Sequence, residues 1–334
     1  MKPVVSVIVL TYNQERTVGH AIESVLAQKC DVPFEIVVSD DCSTDATRQV
    51  CQRYADRYPD KVRLLPPAPN RGVVDNYFET LMVCEGRYIA DCAGDDYWID
   101  ENRLQRQVEM LDADAEMTVV HADWVCVDAA TGETLPSDAQ NRNADVHARE
   151  MDGRALLTVL LQHRTPAAMH LSTALYRAEV IRGMISRDRD MVWDRDMGCE
   201  DYPVIAALLA HGRVGYMEMP VLAYRVGGDT VSSPSDMRRA AEFHARTAVA
   251  TVRLARYYGV PLCYLRESLA EKMRFALSQA YHLGDRALGE EIRRVQKDNG
   301  IPVGRRYNLL QMVMRYKPVW RLVHVLHSLW SRGS

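Results

Sequence analysis

Between Val4 and Asp91 the chain alternates between two hydrophobic periods, and this alternation restricts the fold more than any other feature. Val4-Val5-Ser6-Val7-Ile8-Val9-Leu10 is β-branched and nearly all apolar, as expected of a parallel strand covered on both faces. Val18, Ala21, Ile22, Val25 and Leu26 then recur at helical spacing. Phe34 to Val38 reads as a second strand, and Ser43 and Thr44 can cap a helix running to Tyr58. A third strand at Val62 to Leu65 is ended by Pro66 and Pro67. A helix from Gly72 to Cys84 then leads to a fourth strand, Tyr88 to Asp91. The order β-α-β-α-β-α-β implies a parallel sheet with right-handed crossovers. Ligands of such sheets sit beyond the carboxyl ends of the strands. Thr11-Tyr12-Asn13, Asp40-Asp41 and Asp95-Asp96 fall at those ends.

The later pattern is less regular. Strands are expected at Met117 to Val120, Ser172 to Tyr176, Val214 to Met217 and Val221 to Tyr224. Helices are expected at Asp152 to His163 and at Glu200 to His211, the second ended by Gly212. Asp128 to Arg149 reads as a polar surface excursion, and Gly227 to Ser235 as a Gly/Ser-rich loop. From Asp236 onward the pattern is helical.

At 334 residues the chain suggests about two domains, or one large α/β domain with an appendage. Hydrophobic residues at 47% and charged residues at 26% exclude global disorder. A net charge of −4 provides no general basic field, so a nucleic-acid partner is not expected. The eight cysteines form no C-x-x-C pair, which excludes a zinc ribbon and a thioredoxin-type motif. Scattered cysteines with no leader ahead of Val4 fit a cytoplasmic protein. No apolar stretch reaches the roughly 20 residues of a spanning helix.

The first strand is followed by neither G-x-G-x-x-G nor a Walker loop, and H-E-x-x-H and G-x-S-x-G are also missing. The strand ends are acidic instead. Asp40-Asp41 can cap the following helix or accept hydrogen bonds from a base or ribose. Gly94-Asp95-Asp96-Tyr97-Trp98 sets two carboxylates between a glycine and two aromatics. A solvated turn would account for that run. So would a hard divalent cation, which takes carboxylate oxygens and shares its other sites with water and phosphate.

Taken in order, Val4-Ser6-Val7-Ile8 with Thr11-Tyr12-Asn13, Glu35 through Asp45, Gly94 through Trp98, Glu200-Asp201-Tyr202-Pro203 and Tyr224-Arg225 resemble a family 2 glycosyltransferase. The likeness covers about residues 3 to 235. It implies an α/β GT-A fold, a Rossmann-like and mostly parallel sheet flanked by helices, with a helical C-terminal extension. It divides the chain into a nucleotide-sugar half (1–125), an acceptor and catalytic-base half (126–235) and the extension (236–334). It further implies an inverting transfer from a nucleoside-diphosphate sugar, most simply UDP-linked, to a hydroxyl of a glycan or lipid-linked glycan at the cytoplasmic membrane face.

Roles follow position by position from the resemblance. Thr11, Tyr12 and Asn13 would line the nucleotide pocket, with Tyr12 against the base. Asp41 would accept from uracil and Asp40 would shape the turn. Arg71 would lie near the nucleotide, and Asp95 near ribose or sugar. Asp96 would bind Mg²⁺ or Mn²⁺, and Asp201 would be the general base. Trp98, His170, Glu200, Tyr224 and Arg225 are acceptor-side or lid candidates, and Trp193 is a further aromatic that could stack on a sugar or pack in the core. Where related enzymes often carry a histidine two residues after the Tyr-Arg pair, this chain has Gly227. Two other readings are a catalytically silent scaffolding subunit and a sugar nucleotidyltransferase; the latter lacks its basic loop after the first strand.

The C-terminal stretch 305–334 carries six Lys/Arg and no Asp or Glu, set among Leu, Val, Met and Trp, with Pro318 placed to kink or divide the helix. A basic amphipathic helix of that kind suits an anionic membrane surface, or a helix packed on the core with its basic face in water.

Overall fold

The computed structural model describes residues 2–136, 152–163, 169–227 and 236–316. The chain divides into two compact units, residues 1–195 with 199–227, and residues 196–198 with 228–334.

The first unit is built on an eight-stranded sheet. Its strands are β1 (Val5–Thr11), β2 (Phe34–Asp40), β3 (Val62–Leu64), β4 (Tyr88–Asp91), β5 (Tyr97–Trp98), β6 (Met117–Asp128), β7 (Leu175–Arg177) and β8 (Arg213–Val226), in the order β3-β2-β1-β4-β7-β6-β8-β5. Strands β1 to β4 pair in parallel. The crossovers are α1 (Val18–Leu26), α2 (Thr47–Arg57) and α3 (Val73–Val83). Val5, Val7 and Val9 of β1 meet Ile36, Val38, Ala90 and the α1 residues Val18, Ile22 and Val25 in one core cluster. Strand β7 is antiparallel to both β4 and β6, β8 is parallel to β6, and β5 is antiparallel to β8.

Further helices are α4 (Arg103–Ala113), α5 (Gly153–Leu161), α6 (Ala178–Asp188) and α7 (Asp201–His211). Helices α5 and α7 fall within the expected spans Asp152 to His163 and Glu200 to His211, whereas α4 and α6 were not expected. Three local expectations change. The two short strands expected around Val214 and Val221 are one strand, β8. Pro220 punctuates the pattern without breaking it, because the β6 register shifts around Asp123 opposite it and no N–H is needed there. Ser43 and Thr44 do not cap α2, which starts at Thr47 after Ala46. Ser172 belongs to a 3₁₀ turn, Leu171–Thr173, before β7. The excursion opens at Asp128, whose Oδ1 accepts the N–H groups of Ala130 and Thr131 at 2.8 Å each. Residues 137–149 of it, and 228–235 of the Gly/Ser loop, lie outside the described residues.

The second unit contains α8 (Met237–Tyr258), α9 (Arg266–His282), α10 (Arg286–Asp298) and α11 (Arg305–Arg315). Ala241, Ala245, Ala248, Val252 and Ala255 are buried along α8 at helical spacing. These small side chains let α9 pack closely. Gly259 ends α8 with φ +73°, a left-handed cap that only glycine adopts without strain. Tyr307 and Met314 are the buried residues of α11, and Arg286 donates to the carbonyls of Met314 and Arg315 at its end. Leu309, Met312 and Tyr316 of this stretch are exposed, beside exposed Arg305, Arg306 and Arg315. The rest of the basic stretch, 317–334, lies outside the described residues. Among those described, no helix is long and apolar enough to cross a membrane.

Candidate active site

The loops after β1 and β2 are laced together. Asn13, at φ +53°, receives the Thr44 N–H on Oδ1 at 2.8 Å and donates its own N–H to Ser43 Oγ at 2.8 Å. Gln14 N–H reaches Thr47 Oγ1 at 2.7 Å, and Asp41 N–H reaches the Thr11 carbonyl at 3.0 Å. Asp40 accepts both the N–H and the hydroxyl of Ser43. Asn13 and Asp40 therefore spend their side chains on loop geometry. Thr11 Oγ1 is buried with no hydrogen-bond partner among the described residues. Tyr12 is 48% exposed at the strand end, an open ring beside a buried hydroxyl.

Asp41 is buried and bridges to the start of α3. Its Oδ1 accepts the Arg71 N–H and its Oδ2 the Gly72 N–H, each at 2.9 Å, while Asn70 Nδ2 donates to its carbonyl at 2.8 Å. The carboxylate thus satisfies amides ahead of α3, not those of α2. Each oxygen keeps a further lone pair. The Arg71 guanidinium turns along α3 to pair with Glu79, so the backbone of Arg71, and not its charge, joins the Asp41 cluster.

Asp95 and Asp96 occupy a tight turn after β4. A Cβ at Gly94 would lie 2.4 Å from Gln14 Oε1 and 2.9 Å from Thr11 Oγ1, so only glycine lets this turn approach the β1 loop. Asp96 is buried, with Oδ1 accepting the backbone N–H of Arg225 at 2.9 Å. The Arg225 guanidinium donates to the Asp95 carbonyl and lies 4.8 Å from the Tyr97 ring. Burial raises the Asp95 carboxyl above the usual range. It raises Asp96 well above it, helped by the Asp95 charge and, after that, by Asp201. The pair is short of positive charge. Among the described residues no group of three or more His, Cys, Asp or Glu could hold a metal by itself.

Asp201 opens α7 behind Glu200. A helix N-terminus favours a carboxylate, but burial prevails and pushes Asp201 up to about 6. Burial, and then the Asp201 charge, drives Glu200 far higher, so Glu200 holds the proton and donates it to Asp201. Sequence patterning missed Asp91. It closes an apolar strand, yet both carboxyl oxygens are buried without a geometrically sound partner. Burial, and then Asp201, keep it protonated. A carboxyl closing an otherwise apolar strand was the available signal.

His170 receives the Ser172 N–H on Nδ1 at 3.3 Å and lies between the Trp124 and Tyr224 rings, with centroids 5.4 and 5.0 Å away. Burial lowers it to about 4, so it is neutral. Trp98 sits in the core at 4% exposure, and the Arg103 guanidinium lies 3.9 Å from its ring centroid. It has no open face for a sugar. Arg103 itself is buried and ties the His170 turn down through the carbonyls of Ser172 and Ala174, at 2.9 and 3.2 Å. Trp193 is likewise covered, by Phe78 at 5.4 Å and Arg189 at 3.8 Å, with its Nε1 on Asp75. Gly227 has φ +111°.

Comparison with known proteins bears on the family and the fold. The family described as Glycosyl transferase family 2 matches residues 6–180. The uncharacterized protein Rv1520 of Mycobacterium tuberculosis is 40% identical over 114 residues, covering 34% of this chain and 33% of that protein. Succinoglycan biosynthesis protein ExoO of Rhizobium meliloti is 31% identical over 220 residues, 63% of this chain and 57% of that protein. The matches therefore span a third to somewhat over half of these relatives. The crystal structure of S. aureus TarS 1–349 in complex with UDP-GlcNAc shares the fold, with TM-score 0.55 and 19% identity over 94% of this chain and 92% of that one. A family match over more than half of its length, on a mostly parallel sheet with acidic strand ends, makes this chain a member of glycosyl transferase family 2.

Proposed function

We propose that the chain transfers a sugar from a UDP-sugar to a hydroxyl of a glycan or lipid-linked glycan, with inversion at the anomeric carbon. One observation carries this reading. Asp201, with a pKa pushed up to about 6, lies close enough to the Asp95-Asp96 turn for its charge to raise Asp96. That proximity supports the reading in which a base and an acidic diphosphate-side pair work in one site. The TarS complex with UDP-GlcNAc supports the choice of donor class, and ExoO supports polysaccharide synthesis as its setting.

Tyr12 would stack on the base, Asp41 would accept from its N–H, and the Thr11 hydroxyl would find in the donor the partner it lacks in the protein. Asp95 would approach the ribose or sugar. The donor set fits Mg²⁺ or Mn²⁺: two carboxyls raised above their usual range by burial, Asp96 further by the Asp95 charge, with Asp96 Oδ1 engaged by the Arg225 N–H and too few protein ligands to complete a cage. Asp96 would hold the cation, which when bound offsets the charge of the leaving diphosphate. Asp201 would take the proton of the acceptor hydroxyl as it attacks the anomeric carbon. Glu200, already protonated, would keep Asp201 ionised and oriented. Arg305, Arg306 and Arg315 beside exposed Leu309, Met312 and Tyr316 support a peripheral position on the cytoplasmic side of an anionic membrane.

The test is incubation with a panel of UDP-sugars and a membrane extract as acceptor source. UDP release and a mass increase of one sugar residue are expected. No transfer from any nucleotide sugar would overturn the reading.

A further inference from the structure

His20 lies outside every motif, on the exposed surface of α1, yet it is tied to the acidic turn. Its ring stacks on Tyr97, with centroids 4.1 Å apart and planes at 23°. Its Nδ1 lies 3.1 Å from an Arg225 guanidinium nitrogen. A guanidinium only donates, so Nδ1 must be the acceptor and the imidazole neutral, with its proton on Nε2. Burial and the Arg225 charge both favour that state by lowering the His20 pKa. The same Arg225 donates its backbone N–H to Asp96 and its guanidinium to the Asp95 carbonyl, and it lies against the Tyr97 ring.

We propose that His20 is a positioning residue for the cation and diphosphate site, acting through Arg225. By accepting one guanidinium N–H and bracing Tyr97, it fixes the end of β8 against the Asp95-Asp96 turn. Asp96 Oδ1 is then engaged by a backbone N–H, and Oδ2 is left as the oxygen that faces the cation. The stack adds to two existing ties, the β5–β8 pairing at Tyr97–Ala223 and the Trp98 N–H on Ser24 Oγ of α1, and is the one that reaches the Arg225 guanidinium. The inference rests on the donor-site reading above.

The experiment is calorimetric binding of UDP, with and without Mn²⁺, to the wild type and to His20→Ala, His20→Asn and Tyr97→Phe, with thermal melting of each. An asparagine Oδ1 can stand where Nδ1 accepts, and phenylalanine keeps the stacking ring. His20→Ala should lose about tenfold in UDP affinity when Mn²⁺ is present, the value of one charge-assisted hydrogen bond. It should lose little without Mn²⁺ and melt as the wild type does. His20→Asn should recover most of the loss, and Tyr97→Phe should bind as the wild type. Unchanged Mn²⁺-dependent binding in His20→Ala would overturn the proposal. Equal losses with and without Mn²⁺, together with a lower melting temperature in both His20 variants, would make the residue purely structural. A wild type with no Mn²⁺-dependent UDP binding would overturn the donor-site reading and this inference with it.

Discussion

The backbone N–H of Arg225 donates to Oδ1 of Asp96 across 2.9 Å, joining the end of β8 to the turn after β4. The donor is main chain, while the side chain of the same residue reaches on to the Asp95 carbonyl and to His20 Nδ1. The main-chain contact aligns a buried carboxyl that has no full counter-charge of its own. If Asp96 holds a cation as proposed, this contact would orient it there without a surrounding cage of protein ligands.

Asp96→Ala removes that carboxyl. UDP binding in the variant is expected to become independent of Mn²⁺, and sugar transfer to be lost. Titration calorimetry at several Mn²⁺ concentrations reads the first effect and UDP release the second. Wild-type metal dependence in the variant would remove Asp96 from the site.

Asp201→Asn keeps size and removes basicity. Donor affinity should stay within about threefold, while kcat should fall by about 10²–10⁴, the usual contribution of a general base. The wild-type kcat/KM should rise with pH through an apparent pKa of about 6, because the base works only when ionised. The variant should lack that limb. A profile that keeps the limb would place the base elsewhere.

Asp91 offers a stability test. It keeps its proton in the folded chain, whereas the unfolded chain releases it in the ordinary Asp range. Between those two pKa values the folded state holds the extra proton, so stability falls as pH rises, by up to about 1.4 kcal/mol per pH unit. Asparagine does not titrate. Asp91→Asn should therefore gain on the wild type in urea denaturation as pH rises above the ordinary Asp range. A constant difference over that rise would mean that Asp91 titrates alike in both states.

Leu309 and Met312 are 59% and 52% exposed on α11, so replacing both with serine should leave the fold intact. Flotation with anionic vesicles is expected to drop in Leu309→Ser/Met312→Ser. Binding of the wild type should weaken in high salt, since screening reaches a Debye length of about 8 Å at physiological ionic strength. A full-length protein that never floats would exclude the membrane position.

The first ninety residues were legible because their information is local. β-Branched runs, helical spacing and proline stops settle β1 to β4 and α1 to α3 with no reference to distant chain. The acidic strand ends were visible for the same reason, since parallel topology sends every such end to one edge of the sheet. What tertiary structure alone decided was the fate of each side chain. Patterning cannot say that Trp98 and Trp193 have their ring faces covered by Arg103, Phe78 and Arg189, or that Arg71 turns to Glu79. Nor can it say that Asp201 sits in a desolvated corner with Glu200 and Asp91, where burial outweighs the helix dipole. Periodicity records which face of an element is apolar. The burial and partners of a charge depend on segments far away in the chain, and only folding brings Arg225 and His20 to the Asp95-Asp96 turn.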